Sequence, residues 1–115
     1  MPSFEILYDA NEDVLEVSFA VYEEAFSRTV PLHDQIVLYT DLQLAHGWGL
    51  AIYGYAELIE EGTVTLDGLR GFSEEHQAQL LDVIRDLPIR LFVEVKDPKT
   101  LLAVVHAPSL DAIIG

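Results

Sequence analysis

The feature that most constrains this chain is a pair of alternating segments near its start, separated by turn-forming residues. The first runs Phe4-Glu5-Ile6-Leu7-Tyr8 and the second runs Val14-Leu15-Glu16-Val17-Ser18-Phe19. Alternation with period two places every second side chain on one buried face of a strand. Between them lies Asp9-Ala10-Asn11-Glu12-Asp13, whose Asp and Asn residues accept left-handed backbone angles and bond to nearby amides. The pattern predicts a β-hairpin.

Size and composition predict one folded domain over residues 1–115. Half of the residues are hydrophobic and 23% are charged, so burial can offset the entropy lost on folding. A chain of 115 residues is long enough to bury a core without disulfides or a structural metal. There is no cysteine, which excludes disulfides, thiol nucleophiles and cysteine-ligated metals.

The charge balance narrows the classes of partner. Six basic and 20 acidic side chains give a formal net charge of −14, which repels phosphate backbones and anionic lipids. We therefore expect no nucleic-acid partner and no membrane partner. A surplus of acidic side chains can also mimic DNA or favour basic partners, but it more commonly serves solubility. No basic segment followed by an apolar core opens the chain, and no apolar run could span a bilayer, so we expect a cytoplasmic protein.

Further strand patterns follow the hairpin. Strands are predicted over Ala25–Leu32 and Gln35–Tyr39, continuing an antiparallel meander. The almost wholly apolar run Trp48–Tyr55 suits a strand that is buried on both faces or covered by a helix or a subunit. From Glu57 to Gly71 the pattern weakens, and we expect an irregular crossing with a short strand at Thr63–Leu66.

One main helix is predicted over Glu74–Asp86. Ser73 can cap it, and Pro88 stops it. Its apolar stripe consists of Ala78, Leu81, Val83, Ile84 and Leu87, and it should cover the sheet.

A second hairpin is predicted after this helix. Its strands are Ile89–Val95 and Leu101–His106, around the turn Asp97-Pro98-Lys99, and Ser109 could cap a short helix over Leu110–Ile114. The fold class expected is therefore α+β. An antiparallel sheet of about five to seven strands, built from a hairpin and a meander, should pack against one main α-helix.

The N-terminal half, residues 6–55, resembles a small uncharacterised bacterial family of unknown function. The resemblance rests on Tyr8-Asp9, Asp13-Val14-Leu15-Glu16-Val17, Arg28, Val30, Ile36–Tyr39 and Asp41. Family members usually close with an Asp-Gly turn and a Gly-Ile-Glu-Ile strand, whereas this chain has a longer segment from Asp41 to Gly47 and an aromatic run without the glutamate. The resemblance implies a compact β-rich domain and supplies no catalytic residues.

The acidic turn, the histidines and the serines are the candidates for metal binding or catalysis. Asp9, Asn11 and Asp13 have the opening spacing of a calcium loop, but Val14 and Ala20 occupy the positions of its glycine and glutamate. A hairpin turn explains the same residues. The histidines are widely spaced, at His33, His46, His76 and His106. His33 beside Asp34 could be an oriented base, but both residues belong to a predicted turn. No serine lies in a nucleophile elbow, so we assign no catalytic, cofactor-binding or metal-binding residue.

The aromatic run is the strongest candidate for a binding surface. Trp48, Tyr53 and Tyr55 could line an interface or a ligand pocket, since aromatic side chains supply large contact areas. The sequence favours a non-catalytic interaction module that forms a homo-oligomer or binds a protein partner. Two alternatives stay open: a small acidic metal-assisted enzyme using Asp9, Asp13 or Asp41, and a small-ligand-binding protein with an aromatic pocket.

Overall fold

A computed structural model of the protein describes residues 5–18, 27–86 and 89–107. Several predictions fall outside these ranges. They are the start of the Ala25–Leu32 strand, the helix positions Leu87 and Pro88, and the C-terminal helix Leu110–Ile114 with its cap Ser109.

Five antiparallel strands form the larger sheet. They are β1 Glu5–Asp9, β2 Val14–Ser18, β3 Ser27–His33, β4 Ile36–Asp41 and β5 Gly47–Tyr53. Their order in the sheet is β1-β2-β5-β4-β3. The predicted hairpin is confirmed as β1 and β2, and the apolar run forms β5 at the centre of the sheet, paired with β2 and β4.

The turn of the first hairpin forms as its sequence predicts. The Asp9 carboxylate accepts hydrogen bonds from the N–H groups of Asn11 at 3.0 Å and Glu12 at 3.2 Å. Asp13 adopts a left-handed backbone with φ of 54°. Both roles are typical of Asp in turns, because its short side chain can bond to the neighbouring backbone.

The second half of the chain forms two helices and a smaller sheet. Its elements are α1 Tyr55–Glu61, β6 Val64–Thr65, a 3-10 turn Asp67–Gly71, α2 Glu74–Arg85, a second 3-10 turn Ile89–Leu91, β7 Val93–Asp97 and β8 Leu102–Val105. The smaller sheet is antiparallel with the order β6-β8-β7. The α+β class is confirmed, although the eight strands of the described residues divide between two sheets. None of the helices in these residues has the length and apolar character needed to cross a membrane.

Helix α2 is the predicted main helix, and its N-terminus is capped as expected. The Ser73 hydroxyl accepts a hydrogen bond from the His76 N–H at 3.2 Å. The prediction for its buried face was wrong in one detail: Ala78 is exposed, whereas Leu80 is fully buried. At 100° per residue the buried face is centred between Leu80 and Ile84, which leaves Ala78 well to one side.

Three segments differ from their predicted structure, and the first two adjoin each other. The predicted strand Trp48–Tyr55 ends at Tyr53, because Gly54 takes a left-handed backbone with φ of 67° and Tyr55 starts α1. The expected irregular crossing therefore begins with a helix, which ends at Gly62, whose N–H donates to the Leu58 carbonyl.

The predicted strand Ile89–Val95 begins only at Val93. Its first residues form the second 3-10 turn, in which the Phe92 N–H donates to the Ile89 carbonyl at 2.9 Å. The partner strand and the turn agree with the prediction, since the Lys99 N–H donates to the Asp97 carboxylate at 2.9 Å.

The core lies against one face of the larger sheet, which we call the inner face. It is formed by Leu15, Val17, Val30, Leu32, Ile36, Leu38, Leu50 and Ile52, each at most 3% exposed. These side chains belong to one hydrophobic cluster together with residues of both helices and of β7 and β8. The opposite side chains of the same strands form the outer face.

The first 3-10 turn packs closely against the edge strand β3, which gives a test of the packing. A Cβ atom added at Gly68 would collide with the carbonyl oxygen of Pro31, a backbone atom that has little freedom to move. We expect Gly68→Ala to lower the free energy of unfolding by about 1–3 kcal/mol, measured by urea denaturation.

Gly71 supplies the matched control in the same turn. A Cβ atom there would meet nothing within 4 Å. Gly71→Ala should change the free energy of unfolding by less than about 0.5 kcal/mol. Equal effects of the two substitutions would contradict the packing described here.

Candidate functional site

The outer face carries exposed apolar side chains on β1 and β5. Cross-strand register places Leu7 opposite Glu16, Glu16 opposite Ala51, and Val14 opposite Tyr53 on this face. Leu7 is 64% exposed and Tyr53 is 43% exposed, although both are large and apolar in most of their area. An open depression runs over this part of β1, β2 and β5. We call it the outer patch, and its lining is Leu7, Tyr8, Asp9, Glu12, Val14, Glu16 and Tyr53. Tyr8 borders the patch from the edge strand, although the register places it opposite Leu15, on the inner-face side.

The outer patch has charge of one sign. Asp9, Glu12 and Glu16 supply three carboxylates around the apolar side chains of Leu7 and Tyr53. None of the described residues that line it is basic. The six basic side chains of the chain lie elsewhere, at Arg28, Arg70, Arg85, Arg90, Lys96 and Lys99. The patch is therefore an apolar centre with an acidic rim.

Asp13 holds the hairpin beside the start of α1. Its carboxylate accepts the Tyr8 hydroxyl at 2.6 Å and the Ala56 N–H at 3.0 Å. Its carbonyl accepts the N–H groups of Gly54 at 2.7 Å and Tyr55 at 3.2 Å. These bonds satisfy donors at the helix N-terminus, where a negative charge is favourable.

The same bonds shift two pKa values in opposite directions. The hydrogen bond from Tyr8, followed by the one from the Ala56 backbone, lowers the pKa of Asp13 below its usual value of 3.8. The hydrogen bond to the Asp13 carboxylate raises the pKa of the Tyr8 phenol above 10.0. Both shifts favour the bonded pair of carboxylate and neutral phenol.

The three predicted aromatic site residues do not converge. Tyr53 lines the outer patch. Trp48 is half-buried and lines a different depression, together with Thr29, Tyr39 and the ends of β2 and β3. Tyr55 donates its hydroxyl to the His106 carbonyl at 2.7 Å and packs edge-on against Tyr8, with ring centroids 5.9 Å apart. Only Tyr53 thus belongs to the outer patch.

The acidic residues considered for metal-assisted chemistry are also separated. Asp9 and Asp13 cap the first hairpin, while Asp41 organises the β4–β5 loop. The Asp41 carboxylate accepts the Ala45 N–H at 2.8 Å and lies 2.9 Å from the His46 ring nitrogen Nδ1. Partial burial opposes ionisation of Asp41, but the hydrogen bonds from His46 and Ala45 outweigh it, so its pKa is lowered. Within residues 5–18, 27–86 and 89–107 no three potential ligands cluster to hold a metal ion.

Histidine pairs with carboxylates were missed by the sequence analysis. The ring of His33 is engaged in a turn, since its Nδ1 accepts the Gln35 N–H at 3.1 Å between β3 and β4. His106 instead lies 2.8 Å from the Glu94 carboxylate, which Lys96 also contacts at 3.1 Å. The His106 hydrogen bond, and then that of Lys96, lowers the pKa of Glu94. No sequence spacing could identify this pair, because β7–β8 pairing brings it together.

Leu7 and Glu16 are among the outer-patch residues that sequence reasoning missed, together with Tyr8, Glu12 and Val14. Leu7 and Glu16 each lie in an alternating strand at a position opposite to the buried set, and exposed apolar Leu7 was the available signal. Nothing in the spacing shows that β5 brings Tyr53 to the same face.

Compared with protein-family models, with curated proteins and with solved structures, the chain matches none of them. The similarity of its N-terminal half to an uncharacterised bacterial family stays a prediction. The structure does give the quoted residues a physical role, because Tyr8, Asp9 and Asp13 form and brace the hairpin turn.

Acid titration tests the bracing role of Asp13. The pKa of the Asp13 carboxyl is lower in the folded protein than its value of 3.8 in the unfolded chain. Its contribution to stability is therefore complete when the pH is well above 3.8, and it is lost as the pH falls through the pKa of the folded protein. Asp13→Asn keeps an acceptor oxygen and tolerates the left-handed backbone, but it cannot ionise. We expect the variant to be less stable than the wild type at neutral pH and the difference to shrink below pH 3.8, measured by urea denaturation at each pH.

Asp82→Asn is the control for this titration, because it removes an equal charge from an exposed position on α2. A difference between wild type and Asp13→Asn that stays constant down to low pH would show that ionised Asp13 does not brace the helix.

Alkaline titration tests the contact between α1 and the smaller sheet. Burial, followed by the charge of Tyr8, raises the pKa of Tyr55 to about 12. The stability that this group contributes is present below pH 10 and is lost as the pH rises through its folded pKa. Tyrosine ionisation is measured by ultraviolet absorbance as the pH is raised. We expect the ionisation step with the highest pKa to be absent in Tyr55→Phe and present in the control Tyr53→Phe. If that step were lost in Tyr53→Phe and kept in Tyr55→Phe, the raised pKa would not belong to Tyr55.

Proposed function

We propose that this protein is a non-catalytic interaction module that binds another protein through the outer patch. The observation that carries the proposal is the exposure of Leu7 and Tyr53 on one sheet face, where they line the same depression on either side of β2, while the inner face of the same strands is buried. Burial of apolar area contributes about 25 cal/mol per Å². Covering these two side chains would therefore favour association.

The polar groups near the patch support binding rather than chemistry. Catalysis by paired carboxylates requires groups that are free to exchange a proton or to hold a metal. Here Asp9 accepts two backbone N–H groups and Asp13 accepts a hydroxyl and a backbone N–H. The Asp9 carboxylate thus stabilises the turn of the hairpin, and the Asp13 carboxylate caps the start of α1.

Charge indicates which class of macromolecule could cover the patch. A net charge of −14 repels nucleic acid, and the carboxylates Asp9, Glu12 and Glu16 rim the apolar centre. A two-fold contact of this face with a second copy would bring these carboxylates toward their own equivalents. The proposal therefore favours a different protein over self-association.

Site-specific photo-crosslinking in cells of the natural host tests this proposal. A photoreactive amino acid replaces Tyr53 in one variant and Leu42 in another. Leu42 is a matched control because it is 47% exposed, as Tyr53 is 43%, but it lies in the β4–β5 loop outside the patch. We expect a discrete adduct from position 53, none from position 42, and loss of the adduct when Leu7→Ser is added.

The mass of the adduct separates the two kinds of partner. An adduct of twice the chain mass would identify a second copy and overturn the preference for a different protein. Absence of a position-specific adduct, or equal adducts from both positions, would contradict an interaction through the outer patch.

A further inference from the structure

The edge strands of this protein differ in how they are protected against pairing with another strand. An edge strand directs alternate backbone N–H and C=O groups away from its sheet, and proteins guard such edges with proline, lysine, bulges or covering segments. In the order of the larger sheet the edges are β1 and β3, and in the smaller sheet they are β6 and β7.

Three of these four edges carry protection. β3 contains Pro31, a register shift between Pro31 and His33, and the close packing of Gly68. β6 is only two residues long. β7 carries Lys96 and a register shift between Val95 and Asp97.

Among the described elements, strand β1 lacks these features, and its only charged side chains are the acidic Glu5 and Asp9. Its five residues pair with β2 in unbroken register from Glu5 to Asp9, and they include no proline, lysine or arginine. Leu7 and Tyr8 are 64% and 48% exposed. β1 is thus the edge best suited to receive a further strand, and it also forms one wall of the outer patch.

We propose that a basic, extended segment of a partner protein binds as an additional strand beside β1. The inference rests on the proposed function and names the chemistry of the partner. Strand addition supplies affinity through main-chain hydrogen bonds, and alternate side chains supply specificity.

The side chains of β1 dictate the pattern that such a segment needs. Glu5, Leu7 and Asp9 alternate on the outer face, beside Glu16 of β2, so the added strand requires lysine or arginine on that face. Ile6 and Tyr8 lie on the inner-face side, where Ile6 packs against the core. Apolar side chains in the alternate positions of the added strand would extend this layer.

The same charges oppose pairing of β1 with a second copy of itself. An antiparallel β1–β1 pair centred on Leu7 places Glu5 of each chain opposite Asp9 of the other. Like charges directly opposite each other destabilise a strand pair, whereas opposite charges stabilise it. The acidic side chains therefore select against self-pairing and favour a basic partner.

The test uses a blocked peptide of alternating lysine and valine, titrated into the isotope-labelled full-length protein. Strand addition should slow amide hydrogen exchange at alternate residues of β1, and binding should weaken as salt is added. A second peptide with a central valine replaced by proline keeps the charge but interrupts pairing. It should bind more weakly and give no protection of β1.

Charge variants sharpen the test. Glu5→Gln combined with Glu16→Gln should weaken binding of the lysine-valine peptide about threefold to tenfold, the effect expected of exposed ion pairs. Glu60→Gln combined with Glu61→Gln removes the same charge from exposed positions of α1 and should leave binding unchanged.

Protection at another strand, no protection of β1, or equal binding of the proline peptide would overturn strand addition. These outcomes are independent of the crosslink from position 53. If the crosslink from position 53 forms but the amides of β1 are not protected, the interaction through the outer patch stands and strand addition at β1 is excluded.

Discussion

The structure depends on the burial of β5 between two antiparallel neighbours. Leu50 and Ile52 of β5 face the core, and each pairs across the sheet with buried side chains of β2 and β4. β5 is hydrogen-bonded to β2 on one side and to β4 on the other. Its position therefore fixes the register of both neighbouring strands. Every side chain of the larger sheet is thereby assigned to the inner or the outer face.

One-sided packing follows from that assignment. The helices, the 3-10 turns and the smaller sheet contribute to a single hydrophobic cluster against the inner face. On the outer face the β1, β2 and β5 side keeps Leu7 and Tyr53 exposed, within reach of several carboxylates. The order of strands in the sheet therefore places the apolar centre, the acidic rim and the β1 edge next to one another.

The elements with local signals were predicted well. Alternation and turn residues located β1, β2, β4 and the β7–β8 turn, and Ser73 located the start of α2. The missed elements are short and have no strong period of their own. Helix α1 has seven residues, and its ends are set by Gly54, which takes a left-handed backbone, and by Gly62. A helix this short depends on tertiary contacts such as the buried Leu58.

The candidate site, like the fold, has features that the sequence predicts and features that depend on tertiary structure. By itself the sequence determined that the chain is acidic, that its strands alternate and that it contains an aromatic apolar run, because composition and periodicity are local properties. Only the tertiary structure decided that Tyr53 lines the same depression as Leu7 while Trp48 and Tyr55 do not. Cross-strand neighbours are distant in sequence, and pairing energy summed over the whole sheet chooses them. The surface that a partner would meet is therefore a property of the register, which no single segment of the sequence contains.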